Sequence, residues 1–205
     1  MNLDALAQAA SAVGLGIGLG VFTGLPLGVI NVAVVDAAGA GDKRFAIRLG
    51  IGGAIADGIQ ATLAFAGVGR IITLHPEWTR VMAATVAVVI VGYAVITWRR
   101  RRKTGEPRRH RHGVVTGVFL TLPNPGALAA WVAVAAFVWP TISVGDALVL
   151  GVGVLLGSAS WFALLATWVS KVRPDHAILR IIPRIALVVL LATAAYGLGR
   201  IFYGS

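Results

Sequence analysis

The chain has 205 residues, 58% of them hydrophobic and 13% charged, with a mean hydropathy of +0.85. Soluble domains carry roughly 25% charged residues, so this composition points to an integral membrane protein with no room for a soluble enzymatic domain. The net charge of +10 would suggest nucleic acid in a soluble protein; here no aromatic platform accompanies the basic run, and the charge reads as topology instead.

Cysteine is absent, which excludes disulfides, thiolate metal sites and dithiol redox chemistry. Only Asp4 precedes the first hydrophobic span, so the start lacks the positive n-region of a cleavable signal peptide. Six apolar stretches follow, over 9–35, 45–69, 81–98, 113–139, 147–169 and 185–203. Each is long enough to cross a bilayer as a helix. Fifteen of the eighteen lysines and arginines fall between spans one and two, three and four, or five and six. The positive-inside rule therefore puts those loops in the cytoplasm and both termini outside. The densest cluster, in loop 99–112, sets topology and also suits contact with anionic lipid.

The first span contains Gly24-Leu25-Pro26-Leu27-Gly28 and the fourth Leu122-Pro123-Asn124-Pro125-Gly126. Proline removes a backbone donor and cannot leave a helix straight. Lipid offers no partner for the freed groups, so a broken helix is tolerated only against protein or a wet cavity. The breaks also correspond. Pro26 and Pro125 are 99 positions apart, and Leu49-Gly50-Ile51-Gly52 is echoed by Leu150-Gly151-Val152-Gly153 at 101. Val91-Gly92-Tyr93 has a looser echo at Tyr196-Gly197-Leu198. Three spans per half require opposite insertion of the halves. The expected fold is an all-α membrane protein, a 3+3 inverted repeat with halves 1–98 and 113–205 joined by the basic loop. Discontinuous helices at matching positions mark the substrate site in such transporters. Small residues four apart, such as Gly14/Gly18, Gly16/Gly20 and Gly113/Gly117, predict close helix packing. They leave a homodimer face on span one open.

Asp57 lies near the middle of span two, and no lysine or arginine occupies the core of any span. A carboxylate there costs about 2.5–3.5 kcal/mol on the insertion scale. Its partner must be a proton, a bound cation, a substrate ammonium or a ring of hydrogen-bond donors. Gln60 is one turn away, and Ser158 occupies the matching position of the second half. Asn124 before Pro125 reads as an N-cap and first residue of a new half-helix, whose backbone N–H groups and dipole would favour a carboxylate. The half-helix after Pro26 offers the same, with Gly28 and Asn31 close by. Ser160 and Trp161 are further candidates for lining a pathway. The four histidines fall in loops. No Walker loop, His-Glu-x-x-His or Gly-x-Ser-x-Gly occurs, so ATP-driven transport and these hydrolytic routes find no support.

Together these residues resemble the LysE-type amino-acid exporter family. The likeness rests on Pro26 followed by Asn31, Gly41-Asp42-Lys43-Arg44, the Gly50 to Asp57 stretch, Gly92-Tyr93, and Asn124-Pro125 after a basic loop. It implies proton-linked export of amino acids or related small solutes across the bacterial plasma membrane, without a cofactor or resident metal. The candidate substrate-binding residues are Asp57, Pro26, Gly28, Asn31, Asn124, Pro125, Gly126, Gln60 and Ser158, with Asp57 also coupling protons. Two positions differ from the usual pattern: Pro26-Leu27-Gly28 lacks a second proline, and Gly126 stands where lysine is common. The alternatives are a divalent metal-cation exporter, for which one carboxylate is thin, and a non-transporting accessory of cell-envelope lipid assembly. A membrane enzyme ranks below both, because Asp57 has no acid/base or metal partner in the core.

Overall fold

Proline, glycine and asparagine set the helix boundaries. The computed structural model describes residues 3–25, 28–68, 112–139 and 142–172, together with isolated positions between 71 and 95. Helix α1 spans Leu3–Gly24 and α2 spans Val29–Gly39. The first predicted span is thus two helices, and the first alone is long enough to cross a membrane. The residue that opens α2 is Gly28, in extended conformation, which has no side chain to cap the first turn. Nine of the eleven residues of α2 are buried, so this short segment lies inside the fold.

At its other end α2 closes with a Schellman motif. Gly41 N–H donates to Ala38 O and Asp42 N–H to Ala37 O, both at 3.0 Å. Gly41 takes φ +85°, a left-handed conformation in which a Cβ is unfavourable. Asp42 at once caps the next helix, accepting from Phe45 N–H at 3.0 Å. That helix, α3, spans Lys43–Phe65, roughly 34 Å at 1.5 Å per residue. The Gly41-Asp42-Lys43-Arg44 segment is therefore a stop and a start in four residues, with Lys43 and Arg44 left exposed.

Helix α4 spans Gly113–Thr121 and α5 spans Pro125–Val138. They meet at a 70° bend across residues 122–124. Helix α6 spans Val144–Lys171, capped by Ser143, whose Oγ accepts from Asp146 N–H at 3.1 Å. Among the described residues there are helices and no strands. Helices α1 and α6 are each long and apolar enough to cross a membrane, and α4 with α5 makes a third such span if counted as one bent unit. Helix α3 is as long, but its glycine- and alanine-rich middle carries Asp57 and Gln60, so composition alone does not mark it as a span. The predicted spans 81–98 and 185–203, Pro26 and loop 99–112 up to His112 lie wholly or mostly outside the described residues.

The packing is reciprocal. Helix α1 runs parallel to α6 and α4 runs parallel to α3, while α3 and α6 cross antiparallel at the centre. Glycines make both outer contacts. A Cβ on Gly16 would stand 2.3 Å from Leu150 O, and one on Gly20 2.3 Å from Val154 O. Across the other contact, a Cβ on Gly52 would stand 2.0 Å from Val114 O and one on Gly117 2.1 Å from Leu49 O. Backbones this close admit no side chain between them. Gly14 and Gly18 have no described atom within 4 Å of the same construction, so they lie off this seam. One apolar cluster joins α2, the start of α3 and Phe162 of α6; a second joins α1, the end of α3, α6 and Trp131 of α5.

Candidate functional site

The second break is held by Gln60. On α3, Asp57 and Gln60 are three residues apart and share a face. Gln60 is 2% exposed. Its Nε2 donates to Leu122 O at 2.9 Å, with Thr121 O at 3.3 Å and Asn124 O at 3.4 Å also in reach. Proline explains the need. Pro125 has no N–H for the Thr121 carbonyl, and Gly126 N–H, which a continuous helix would give to Leu122, turns instead to Asn124 Oδ1 at 3.0 Å. The Thr121 carbonyl accepts instead from Asn124 N–H at 3.2 Å, and Gln60 reaches across from α3 to it and to the released Leu122 carbonyl.

Asn124 is the N-cap of α5, with Pro125 in the first turn. Its Oδ1 accepts from Gly126 N–H and also from Ala127 N–H at 3.3 Å, and its carbonyl accepts from Leu128 N–H at 3.2 Å. The donors expected to await an anion at α5 are therefore already engaged by the cap. Gly126 itself is exposed. At α2, in contrast, Gly28 offers no competing side chain.

The first break is held by a different pair. Asn31, buried in the first turn of α2, folds back so that Nδ2 donates to Gly24 O at 3.0 Å, the last residue of α1. Trp161 of α6 donates its indole N–H to Asn31 Oδ1 at 3.2 Å. The indole also lies against Gly24, where a Cβ would come within 2.6 Å of the Trp161 ring. Gln60 and Trp161 are 101 positions apart. Each reaches from a central helix into the break lying in the other half of the chain.

At the crossing of α3 and α6, Asp57 faces Ser158. The Ser158 hydroxyl is fully buried and donates to Gly20 O at 3.2 Å. Asp57 is only partly buried, and among the described residues no basic side chain pairs with it. The fold thus sets Asp57 against Ser158, Gln60 against the second break and Asn31 against the first. Ser160 is turned away: it is exposed and donates to Leu156 O. Thr121 enters the site without having been singled out from sequence. Its place four residues before Pro125 was the available signal, since that is the carbonyl a proline orphans.

A model of the LysE type translocator family matches residues 21–198. The match spans both breaks, Asp57 and the whole central crossing. The chain belongs to the LysE type translocator family. It is a multi-pass membrane transport protein. Comparisons with curated proteins and with solved structures gave no match.

Two further features bear on what this translocator can hold. Among the described residues no group of three or more His, Cys, Asp or Glu side chains converges on a point that would take a metal ion. An apolar groove of about 270 Å³ runs between α3 and α6, lined by Ile55, Gly58, Thr62, Leu148, Gly151 and Leu155 among others. It includes neither Asp57 nor Gln60. Among the described residues, the buried polar side chains Asn31, Gln60, Thr121 and Ser158 lie at the two clamped breaks and the crossing with Asp57.

Proposed function

We propose that this LysE-type translocator exports amino acids or related small solutes across the bacterial plasma membrane, with protons as the coupling ion. The observation that carries this reading is Asp57: a partly accessible carboxyl in mid-helix, without a basic partner among the described residues, one helical turn from the Gln60 amide that holds the second break. A bare carboxylate at that depth is costly, so it must hold a proton or a cation. A substrate ammonium replaces the proton on one side of the membrane, and a proton replaces the ammonium on the other. The carrier then never returns with an uncompensated charge.

The carboxylate of the substrate fits the start of α2. Backbone N–H groups of a helix's first turn favour an anion, and Gly28 brings no side chain to occupy them. Asn31 sits in that first turn, Ser158 faces Asp57, and Pro26 is proposed to shape the site. The reciprocal packing of α1 on α6 and α4 on α3 supports a 3+3 inverted repeat in which one half rocks against the other around Asp57. The basic loop 99–112 lies in the cytoplasm and both termini outside, in accord with the lysine and arginine distribution.

The test is uptake into inverted vesicles of a panel of labelled amino acids, with divalent metals as a second panel, with and without a proton gradient. Gradient-dependent uptake of at least one amino acid is expected, and Asp57→Asn should abolish it without lowering the amount of protein in the membrane. Full transport by that variant would remove Asp57 from the mechanism. Uptake of metals alone would replace the substrate class.

A further inference from the structure

Two polar side-chain atoms at the second break bond nothing else among the described residues. Among the described residues, Gln60 Oε1 and Thr121 Oγ1 are buried and have no hydrogen-bond partner. Gln60 is 2% and Thr121 8% exposed. The two residues meet at the break, where Gln60 Nε2 lies 3.3 Å from the Thr121 carbonyl oxygen. The amide's orientation follows from its surroundings. Three carbonyl oxygens face one end of it, so that end must be the NH₂ group and the other an unmatched acceptor. Threonines in helices commonly return the hydroxyl to the carbonyl one turn back, as Thr23 does to Leu19 O and Thr116 to His112 O, at 2.8 and 2.9 Å. Thr121 makes no such bond. Buried groups left unmatched are costly and call for an explanation.

The local field says which kind of partner fits. The break gathers the carbonyl end of α4, the negative end of a helix. The opposing positive end of α5 has its N–H groups taken up by Asn124. Asp57 stands one helical turn from Gln60 on the same helix. The place is rich in acceptors and short of open donors.

We propose that Gln60 Oε1 and Thr121 Oγ1 form a subsite for the N–H bonds of the substrate's ammonium group, so that the protein selects primary amines over quaternary ammonium compounds. The subsite rests on the assignment of Asp57 to the ammonium and adds the chemistry that Asp57 cannot supply. A carboxylate reads charge, which primary and trimethylated amines share. Neutral oxygens read N–H bonds, which only the primary amine has. Three N–H donors meet three acceptors: Asp57, Gln60 Oε1 and Thr121 Oγ1.

Thr121→Val tests this, because it keeps the side chain's shape and removes a hydroxyl that bonds nothing in the protein. The purified full chain is dialysed to equilibrium against L-alanine, L-leucine and L-lysine, and against the Nα-trimethyl form of each. The wild-type chain should bind at least one primary amine and its trimethyl form roughly tenfold or more weakly, as expected for lost hydrogen bonds to a charged group. Thr121→Val should weaken the primary amine by a similar factor, leave the trimethyl form unchanged, and melt no lower than wild type. Thr121→Ser, which restores the hydroxyl, should restore the preference. Equal binding of the two forms, or a Thr121→Val variant that binds as wild type does, overturns the subsite while leaving Asp57 in place. If neither form of any probe binds, both the Asp57 reading and the subsite fall.

Discussion

Gly117→Ala should loosen the contact between α3 and α4. The new methyl would stand 2.1 Å from Leu49 O, 2.9 Å from Gly53 N and 3.0 Å from Gly52 Cα. These neighbours are backbone atoms and cannot rotate away. Restoring ordinary contact requires α4 to draw back by on the order of 1 Å, a gap that forfeits about a quarter to a half of the dispersion energy between the facing atoms. Overpacking of this kind costs about 1–3 kcal/mol. Alanine's better helix propensity returns at most about 1 kcal/mol, so the strain wins. At about 2–4 °C per kcal/mol for a chain of this size, the drop in melting temperature is measurable. Gly18→Ala is the control. No described atom lies within 4 Å of its added methyl, and propensity alone predicts no loss. The assay is thermal unfolding in detergent, followed by tryptophan fluorescence. If Gly117→Ala and Gly18→Ala unfold at the same temperature, the glycine-seam reasoning is wrong. A displaced α4 would also carry the Leu122 carbonyl away from Gln60 Nε2, so export should fall along with stability.

Two more outcomes follow from local geometry. Gly41→Ala places a Cβ in the left-handed conformation at φ +85° and should destabilise the chain by about 1–2 kcal/mol, read as a lower melting temperature. Trp161→Phe keeps a ring against Gly24 but removes the donor to Asn31 Oδ1, at a cost of about 1 kcal/mol. Export velocity should drop more steeply than that stability change accounts for; a lowered melting temperature with normal export would make Trp161 a packing residue only.

Local chemistry was legible in the sequence by itself. Composition named the membrane class, and Pro125 fell in the first turn of α5. Asn124 before Pro125 announced a cap and a first turn, because capping joins residues two or three apart. Asp57 stood out because a lone carboxylate among apolar residues is costly wherever the helix packs. The sequence could not say that the cap would consume the donors it marks, since one asparagine can serve its own helix or leave it open to a ligand. Nor could it separate Gly16 and Gly20 from Gly14 and Gly18. All four share the same spacing, and only the register of α1 against α6 decides which pair meets Leu150 and Val154. The clamps are the clearest case. Gln60 meets Leu122 across 62 positions and Trp161 meets Asn31 across 130. A proline in the sequence shows that a carbonyl has lost its donor. Which side chain replaces that donor depends on how distant helices cross, and periodicity along one helix carries no information about its neighbour's register.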